Sequence, residues 1–183
     1  MFDLERFIAD CQAAVAETDD HTAVREVVAR AVRDPGGVLD RLGEPTRAGI
    51  GVLHSSERLT IVNLTWGPHM SFMPHDHHMW AVIGLYTGRE DNIFWRRLPN
   101  ERNRLEAAGA RSIGPGECCP LGPDIIHSVL NPLPRLTAAI HVYGGDFLRQ
   151  ARSEWDPESL SEREYDGAKA LQMFEESNRF LAA

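Results

Sequence analysis

Three histidines supply the strongest chemical pattern in this chain. Residues 74–78 read Pro-His-Asp-His-His, and a later segment runs from Pro123 through His127 to Asn131. Side chains at positions i and i+2 of a strand share a face, so His75 and His77 are predicted to point the same way. A neighbouring strand must add a further ligand, and His127 is the best-placed candidate. We therefore predict that His75, His77 and His127 bind one metal ion. Imidazole suits iron, zinc, copper and nickel alike, so spacing alone leaves the metal open.

The segment that carries these histidines is predicted to be all β. Glycines and prolines punctuate residues 49–145 and separate short runs rich in apolar and β-branched side chains, a pattern typical of many short strands. The clearest runs are residues 59–66, 80–86, 92–97, 127–130 and 137–143. On the last of these runs, His141 and Tyr143 share a face by the same i, i+2 rule, and we predict that this face looks into a barrel.

Helices are predicted on both sides of the β segment. Apolar residues recur at helical spacing over 2–16 and 20–33, and the Asp34-Pro35-Gly36-Gly37 sequence is predicted to end the second helix. Near the carboxyl end, residues 153–157 are predicted to form a loop anchored by Trp155. Residues 165–181 are predicted to form a helix whose apolar side carries Ala168, Leu171, Phe174 and Phe180.

The length of 183 residues fits one domain. We predict a helical extension over 1–40, a barrel over 45–150, and a loop and helix over 151–183. The net charge of −8, with no basic cluster beyond Arg96-Arg97, argues against nucleic acid as a partner. No apolar run is long enough for a membrane span, and no signal pattern opens the sequence. The three cysteines, Cys11, Cys118 and Cys119, form no disulfide or CxxC pattern. A cytoplasmic protein with reduced thiols is expected.

The motifs resemble those of the cupin superfamily, whose members are double-stranded β-helix (jelly-roll) barrels. The resemblance covers roughly residues 45–150. It places the first cupin motif on His75, His77 and Gly88, and the second on Pro123, His127 and Asn131. Many cupins carry a glutamate ligand where this chain has Ala81. The resemblance therefore implies a site of three histidines without a carboxylate.

Within the cupins, the chain resembles the thiol dioxygenases related to cysteine and 3-mercaptopropionate dioxygenase. Trp66-Gly67 precedes His75-Asp76-His77 as in that family, and the late Ser-x-His-x-Tyr strand of the family falls on residues 139–143, with alanine replacing the serine. The resemblance implies ferrous iron on the three histidines, a small thiol and dioxygen as substrates, and a sulfinate product. It implies catalytic roles for His141 and Tyr143. Ala81 also excludes the cysteine–tyrosine crosslink found in the mammalian-type enzymes.

Two arginines are candidates for binding the carboxylate of such a thiol. Arg47 lies one residue from the position that aligns with the family's carboxylate-binding residue, and Arg152 lies in a region from which some bacterial relatives supply an arginine. The strings His75–Tyr86 and His141–Phe147 are also similar to a bacterial group of predicted metal-dependent double-stranded β-helix proteins. Because Ala139 replaces the serine, two alternatives stay open: a cupin enzyme acting on a non-thiol molecule, and a metal-binding cupin without turnover. The pattern does not predict an oligomeric state.

Overall fold

Three helices precede the strands. A computed structural model describes residues 1–99 and 104–181. Its first elements are α1 (Leu4–Glu17), α2 (Thr22–Val32) and α3 (Pro35–Leu42). The first two confirm the helical periodicity, but α3 was not predicted. Asp34 does not only end the second helix: its side chain accepts a hydrogen bond from the Gly37 backbone N–H, and Pro35 occupies the first turn, so the sequence starts a new helix. No helix among the described residues is both long and apolar enough to cross a membrane.

The described part of the chain continues with eleven strands, and every pairing between them is antiparallel. They are β1 (Gly49–Ser55), β2 (Thr60–Trp66), β3 (Ser71–His75), β4 (Ala81–Thr87), β5 (Glu90–Arg97), β6 (Leu105–Ile113), β7 (Cys118–Leu121), β8 (Ile126–Leu130), β9 (Thr137–Tyr143), β10 (Ser153–Trp155) and β11 (Glu162–Glu164). The chain ends in α4 (Gly167–Asn178) and a short 3₁₀ turn at Arg179–Leu181.

The strand order confirms the predicted jelly roll. One sheet has the order β1-β2-β9-β4-β7 and the other β11-β10-β3-β8-β5-β6. Within these sheets, strands β2 to β9 give the orders 2-9-4-7 and 3-8-5-6, which are the two four-stranded sheets of a double Greek key. The barrel also gains β10 and β11, which lie beyond residue 150. Residues 153–155, predicted as a loop, pair with β3 and β11, and Trp155 is fully buried there.

Two apolar cores lie on opposite faces of the β1-β2-β9-β4-β7 sheet. The strand β9 shows the division: Ala138, Ile140 and Val142 pack with the residues of α1, α2 and α3, whereas Ala139 and Tyr143 belong to the core between the two sheets. All seven residues of β9 are buried for this reason. The alternation confirms that the face carrying His141 and Tyr143 looks into the barrel.

The predicted carboxyl-terminal helix is present as α4, and it folds back over the barrel. Its Phe174 ring stacks on Trp66, with ring centroids 5.5 Å apart, and also contacts Phe72 at 5.9 Å. The buried side of the helix is not the predicted one throughout: Phe174 is buried, but Leu171 and Phe180 are exposed. The helix therefore covers the barrel interior through one aromatic anchor near its middle.

The close approach of α2 to β4 generates a stability prediction. A Cβ atom on Gly84 would lie 2.5 Å from Cγ1 of Val28 and 2.8 Å from Cγ1 of Val32. Valine side chains in a helix have one strongly preferred rotamer and cannot turn away. Gly84→Ala should therefore lower the free energy of unfolding by about 1–3 kcal/mol, measured by urea denaturation. Gly109→Ala is the matched control, because a Cβ there meets no atom within 4 Å, and an equal loss in both variants would contradict the packing argument.

Candidate metal centre

His75, His77 and His127 converge on one point inside the barrel. His75 is the last residue of β3 and lies directly opposite His127 on β8. The Nε2 atom of His77 lies 3.2 Å from Nε2 of His75 and 3.3 Å from Nε2 of His127. The three residues are only 6%, 3% and 1% exposed. Three ring nitrogens thus face each other in an interior that excludes most water.

The position of His77 differs from the sequence prediction in one respect. We predicted that His75 and His77 share a strand face, but β3 ends at His75 and His77 lies in the following connection. The connection turns through His78, which has a φ of 51°. Unlike His77, the imidazole of His78 is half exposed and lies beside Asp76.

The donor set fits a transition-metal ion. Among the described residues, these histidines form the one cluster in which at least three candidate ligand atoms lie within 4.8 Å of one another. Nitrogens bound at about 2.0–2.1 Å to one ion lie roughly 2.8–3.4 Å apart, the short end for octahedral and the long end for tetrahedral geometry. The observed separations of 3.2 and 3.3 Å fall in that range. Residues of this type and spacing can hold iron, zinc, copper or nickel.

Hydrogen bonds direct the free lone pairs of two ligands inward. Nδ1 of His75 lies 2.9 Å from the Met73 carbonyl oxygen, and Nδ1 of His127 lies 2.7 Å from Oδ1 of Asn92. Both oxygens are acceptors, so each Nδ1 carries the hydrogen and each Nε2 keeps its lone pair. Burial lowers the pKa of His75 to about 4 and the pKa values of His77 and His127 well below the usual histidine value. The rings are therefore neutral at pH 7, which is the form that binds metal.

His141 and Tyr143 form a pair beside the three ligands. Nδ1 of His141 lies 3.2 Å from the Tyr143 hydroxyl oxygen, and the Tyr143 ring contacts the His77 ring with centroids 5.1 Å apart. Burial raises the pKa of Tyr143, so its hydroxyl stays protonated and can donate a hydrogen bond. Tyr143 is also the direct cross-strand partner of Ala81, which offers no ligand atom.

Glu90 is the site residue that the sequence analysis missed. It is fully buried, and its carboxylate accepts hydrogen bonds from Trp66 Nε1 at 2.8 Å and from Asn92 Nδ2 at 2.9 Å. Nε2 of His141 lies 3.7 Å from its Oε2 atom, too long for a direct hydrogen bond, and has no hydrogen-bond partner among the described residues. Burial alone would raise the pKa of Glu90, but His141, Asn92 and Trp66 together lower it.

The sequence contains one weak signal for Glu90. Glu90 and Asn92 are polar residues at i and i+2 on β5, so they share a face, and that face turns out to be the buried one. An acidic residue beside a turn is usually exposed, and the sequence does not show which face of a strand lies inward. Only the pairing of β5 with β8, which sets Asn92 opposite Val129 and Phe94 opposite His127, places this pair behind the metal ligands.

The two candidate arginines lie in very different places. Arg47 forms an exposed ion pair with Glu175 of α4, with both side chains 64% exposed, and the structure does not bring it to the histidines. The Arg152 guanidinium lies over the rings of Phe147 and Tyr165, 4.1 and 4.0 Å from their centroids. The charge of Arg152 is near enough to contribute to the lowered pKa values of His75 and His77.

A narrow cavity of about 20 Å³ adjoins the three histidines, which is room for about one water molecule. Its walls combine His75, His77 and His127 with His141, Tyr143, Tyr165 and apolar side chains. The apolar residues are Ile50, Leu64, Trp66, Phe72, Val129, Phe147 and Phe174.

Comparison with known proteins adds matches of modest similarity. No family model matches the sequence. Among solved structures, a DMSP lyase from Ruegeria pomeroyi is 18% identical with a TM-score of 0.48, and the match covers 61% of this chain and 53% of that one. A cupin family protein with a double-stranded β-helix fold from Methanocaldococcus jannaschii is 8% identical with a TM-score of 0.47, over 58% and 88%. A variant of Bacillus subtilis oxalate decarboxylase is 18% identical with a TM-score of 0.40, over 50% of this chain and 22% of that one. At these scores, the jelly-roll assignment stands on the strand order of the protein itself.

Removal of any one ligand should abolish tight metal binding. His75→Ala, His77→Ala and His127→Ala each leave two nitrogens, so the Zn²⁺ affinity should fall by more than the roughly 10–100-fold that loss of a supporting hydrogen bond costs. The measurement is competition with a chromophoric chelator, together with the metal content of protein isolated without added metal. His78→Ala is the control, because that ring is exposed and directed at Asp76. Wild-type affinity in the His127→Ala variant would refute the site.

Proposed function

We propose that this protein is an iron(II)-dependent dioxygenase that oxidises the sulfur of a small, carboxylate-bearing thiol to a sulfinate. The observation that carries the proposal is the combination of three neutral histidines, no carboxylate within their cluster among the described residues, and the His141–Tyr143 pair beside them. Ala81 occupies the position at which many cupins carry a glutamate, directly opposite Tyr143. This arrangement supports the resemblance to the thiol dioxygenases.

Three neutral imidazoles leave the full charge of the ion uncompensated within the ligand set. Iron(II) held by His75, His77 and His127 would supply the redox chemistry that joins a thiolate to dioxygen. In the overall reaction, a thiolate RS⁻ and O₂ give RSO₂⁻, so both oxygen atoms enter the product, sulfur is oxidised, dioxygen is reduced, and no other reductant is needed. An anionic thiolate lowers the net charge of the buried site, which favours its binding over that of a neutral ligand.

Tyr143 and His141 are proposed to act as the hydrogen-bonding pair of the reaction. Tyr143 lines the cavity and its hydroxyl stays protonated, so its oxygen can accept a hydrogen bond from the head group of the substrate while its hydrogen is donated to His141. The His141 ring, 3.2 Å away through Nδ1, holds the hydroxyl in place. Tyr143 also stacks on Phe147 with centroids 3.8 Å apart, which limits the rotation of its ring.

Arg152 is proposed to bind the substrate carboxylate. Its Nη1 donates to the Phe147 carbonyl oxygen, and its Nε is buried and has no partner among the described residues. The two rings that hold the guanidinium, Phe147 and Tyr165, both line the cavity. An anion beside them would meet an arginine that is already immobilised, and no protein carboxylate in the described part of the chain pairs with it. The exposed position of Arg47 gives no support to the same role.

The thiol reaction can be tested directly. Iron-loaded protein should consume dioxygen with 3-mercaptopropionate or cysteine and form a sulfinate that carries two labelled atoms from ¹⁸O₂, detected by mass spectrometry. The His127→Ala variant should lose both iron and oxygen uptake. Oxygen uptake with other small molecules but no thiol would instead favour a non-thiol cupin enzyme. Metal binding without turnover of any compound would favour a binding protein.

The cytoplasmic location stays a prediction.

The role of Arg152 gives a second kinetic prediction. Arg152→Gln should raise the KM for 3-mercaptopropionate by roughly 10–100-fold, because a hydrogen bond to a charged group is worth about 1.5–3 kcal/mol. Turnover of the carboxylate-free 2-mercaptoethanol should change little, because it makes no such contact. Arg47→Gln is the matched control and should leave both KM values unaltered. An increase caused by Arg47→Gln alone would assign the carboxylate to the exposed arginine.

A further inference from the structure

We infer that Glu90 is a positioning residue that determines which nitrogen carries the hydrogen on both His127 and His141, and thereby makes His127 a metal ligand. The inference rests on the metal site of the proposed function but not on the identity of the substrate. Glu90 touches no metal ligand directly. It acts through Asn92 on one side and through His141 on the other.

The surroundings of Glu90 make it a pure acceptor. Its two oxygens receive the Trp66 indole N–H and the Asn92 amide N–H, and both groups can only donate from those atoms. Its one ion-pair partner among the described residues is His141. An ionised carboxylate has no hydrogen to donate, and burying it is costly unless its oxygens accept hydrogen bonds. The neighbours of Glu90 must therefore direct a hydrogen toward it.

The first arm leads from Glu90 to the metal. Because the carboxylate accepts, the Asn92 amide must turn its Nδ2 to Glu90, at 2.9 Å, and therefore its Oδ1 to His127, at 2.7 Å from Nδ1. An oxygen acceptor at that place holds the hydrogen on Nδ1. The lone pair of His127 is then on Nε2, the atom that faces His77. A chain of two hydrogen bonds thus determines that His127 can bind a cation.

The second arm leads to the His141–Tyr143 pair. The Glu90 carboxylate lies 3.7 Å from Nε2 of His141, where a hydrogen on that nitrogen is favoured. Nδ1 then keeps its lone pair and accepts a hydrogen bond from the Tyr143 hydroxyl. In the resembled family a serine orients this histidine, and Ala139 cannot. The structure places the Glu90 carboxylate against the same ring from β5, so the ring is still oriented by a neighbouring polar group.

Glu90→Gln should break the first arm while changing the shape of the side chain very little. The glutamine oxygen would accept from Trp66, which leaves the glutamine NH₂ facing the NH₂ of Asn92. Two donors cannot bond to each other, so the Asn92 amide turns over and presents its NH₂ to His127. The hydrogen of His127 then moves to Nε2 and blocks the metal-binding lone pair. We expect the Zn²⁺ affinity to fall by about 10–100-fold.

A compensating variant separates this effect from simple damage to the core. In the double variant Glu90→Gln with Asn92→Asp, the glutamine NH₂ donates to the aspartate, and the aspartate accepts from Nδ1 of His127. The direction of the chain is restored, although the charge has moved by two residues. Zn²⁺ affinity should therefore recover most of the loss. Asp91→Asn is the control for removing one charge from β5, because Asp91 pairs with Arg89 and lies on the opposite face of the strand.

The hydrogen positions can also be measured directly, without adding a metal. In the metal-free full chain, ¹⁵N-detected imidazole spectra should show the hydrogen of His127 on Nδ1 in the wild type and on Nε2 in Glu90→Gln. His75 is an internal reference that should not change, because its Nδ1 donates to a backbone carbonyl that cannot turn over. Circular dichroism and the unfolding midpoint establish that each variant is folded.

The outcomes separate the inference from the proposed function. Three results would each overturn the role of Glu90. They are an unchanged Zn²⁺ affinity in folded Glu90→Gln, a hydrogen on Nε2 of His127 in the wild-type protein, and a folded double variant whose Zn²⁺ affinity is no higher than that of Glu90→Gln. These measurements use Zn²⁺ and imidazole spectra without thiol or dioxygen. If the thiol assay fails but the double variant recovers Zn²⁺ affinity, the thiol substrate is rejected and the role of Glu90 is supported. If the thiol is oxidised but the double variant does not recover Zn²⁺ affinity, the role of Glu90 is rejected and the proposed function is supported.

Discussion

The site depends on neutral imidazoles held at 3.2–3.3 Å in a nearly dry interior. Water would let these rings take up protons or turn away, and burial prevents both. It lowers their pKa values far enough that the rings stay neutral at pH 7, and it holds each one between packed neighbours. For His75 and His127, the outer nitrogen is already engaged by an oxygen acceptor. The inward nitrogens are then left with lone pairs that a cation can satisfy.

The jelly roll provides this interior because one of its sheets has a separate apolar core on each face. The sheet that carries β9 separates two cores, and alternation along that strand sends aliphatic residues to the helices and His141 and Tyr143 to the site. The helices α1 to α3 therefore stabilise one face of the sheet, and the other is free to hold polar chemistry. At the far end of the interior, α4 covers the cavity through Phe174, so access to the site involves a helix that follows the barrel in sequence.

Charge in the barrel interior is arranged around Glu90. Among the described residues, its carboxylate is the one negatively charged group shown within 4 Å of His141, and it is two hydrogen bonds away from Nδ1 of His127. A divalent ion held by three neutral rings would bring positive charge into this region, and Glu90 offsets part of it without joining the ligands. Arg152 adds positive charge near the ligands, held between two aromatic rings, where an anionic substrate group would balance it. The site thus separates a fixed internal anion from an arginine that has no anion of its own among the described residues.

The sequence by itself predicted the all-β fold class, the grouping of His75, His77 and His127, and the inward direction of His141 and Tyr143. These follow from strand alternation and from motifs that keep their spacing, which are local properties. Only the tertiary structure decided the rest. His77 lies beyond the end of β3, Asp34 starts a helix where the local sequence predicted only an end, and Arg152 rather than Arg47 lies near the histidines. The sequence did not identify Glu90 as a site residue, because its contacts depend on tertiary structure. They require β5 to pair with β8, and they require the barrel to bring Trp66 of β2 and His141 of β9 to the same carboxylate. Such contacts join residues that are distant along the chain, and no spacing rule in one sequence encodes them.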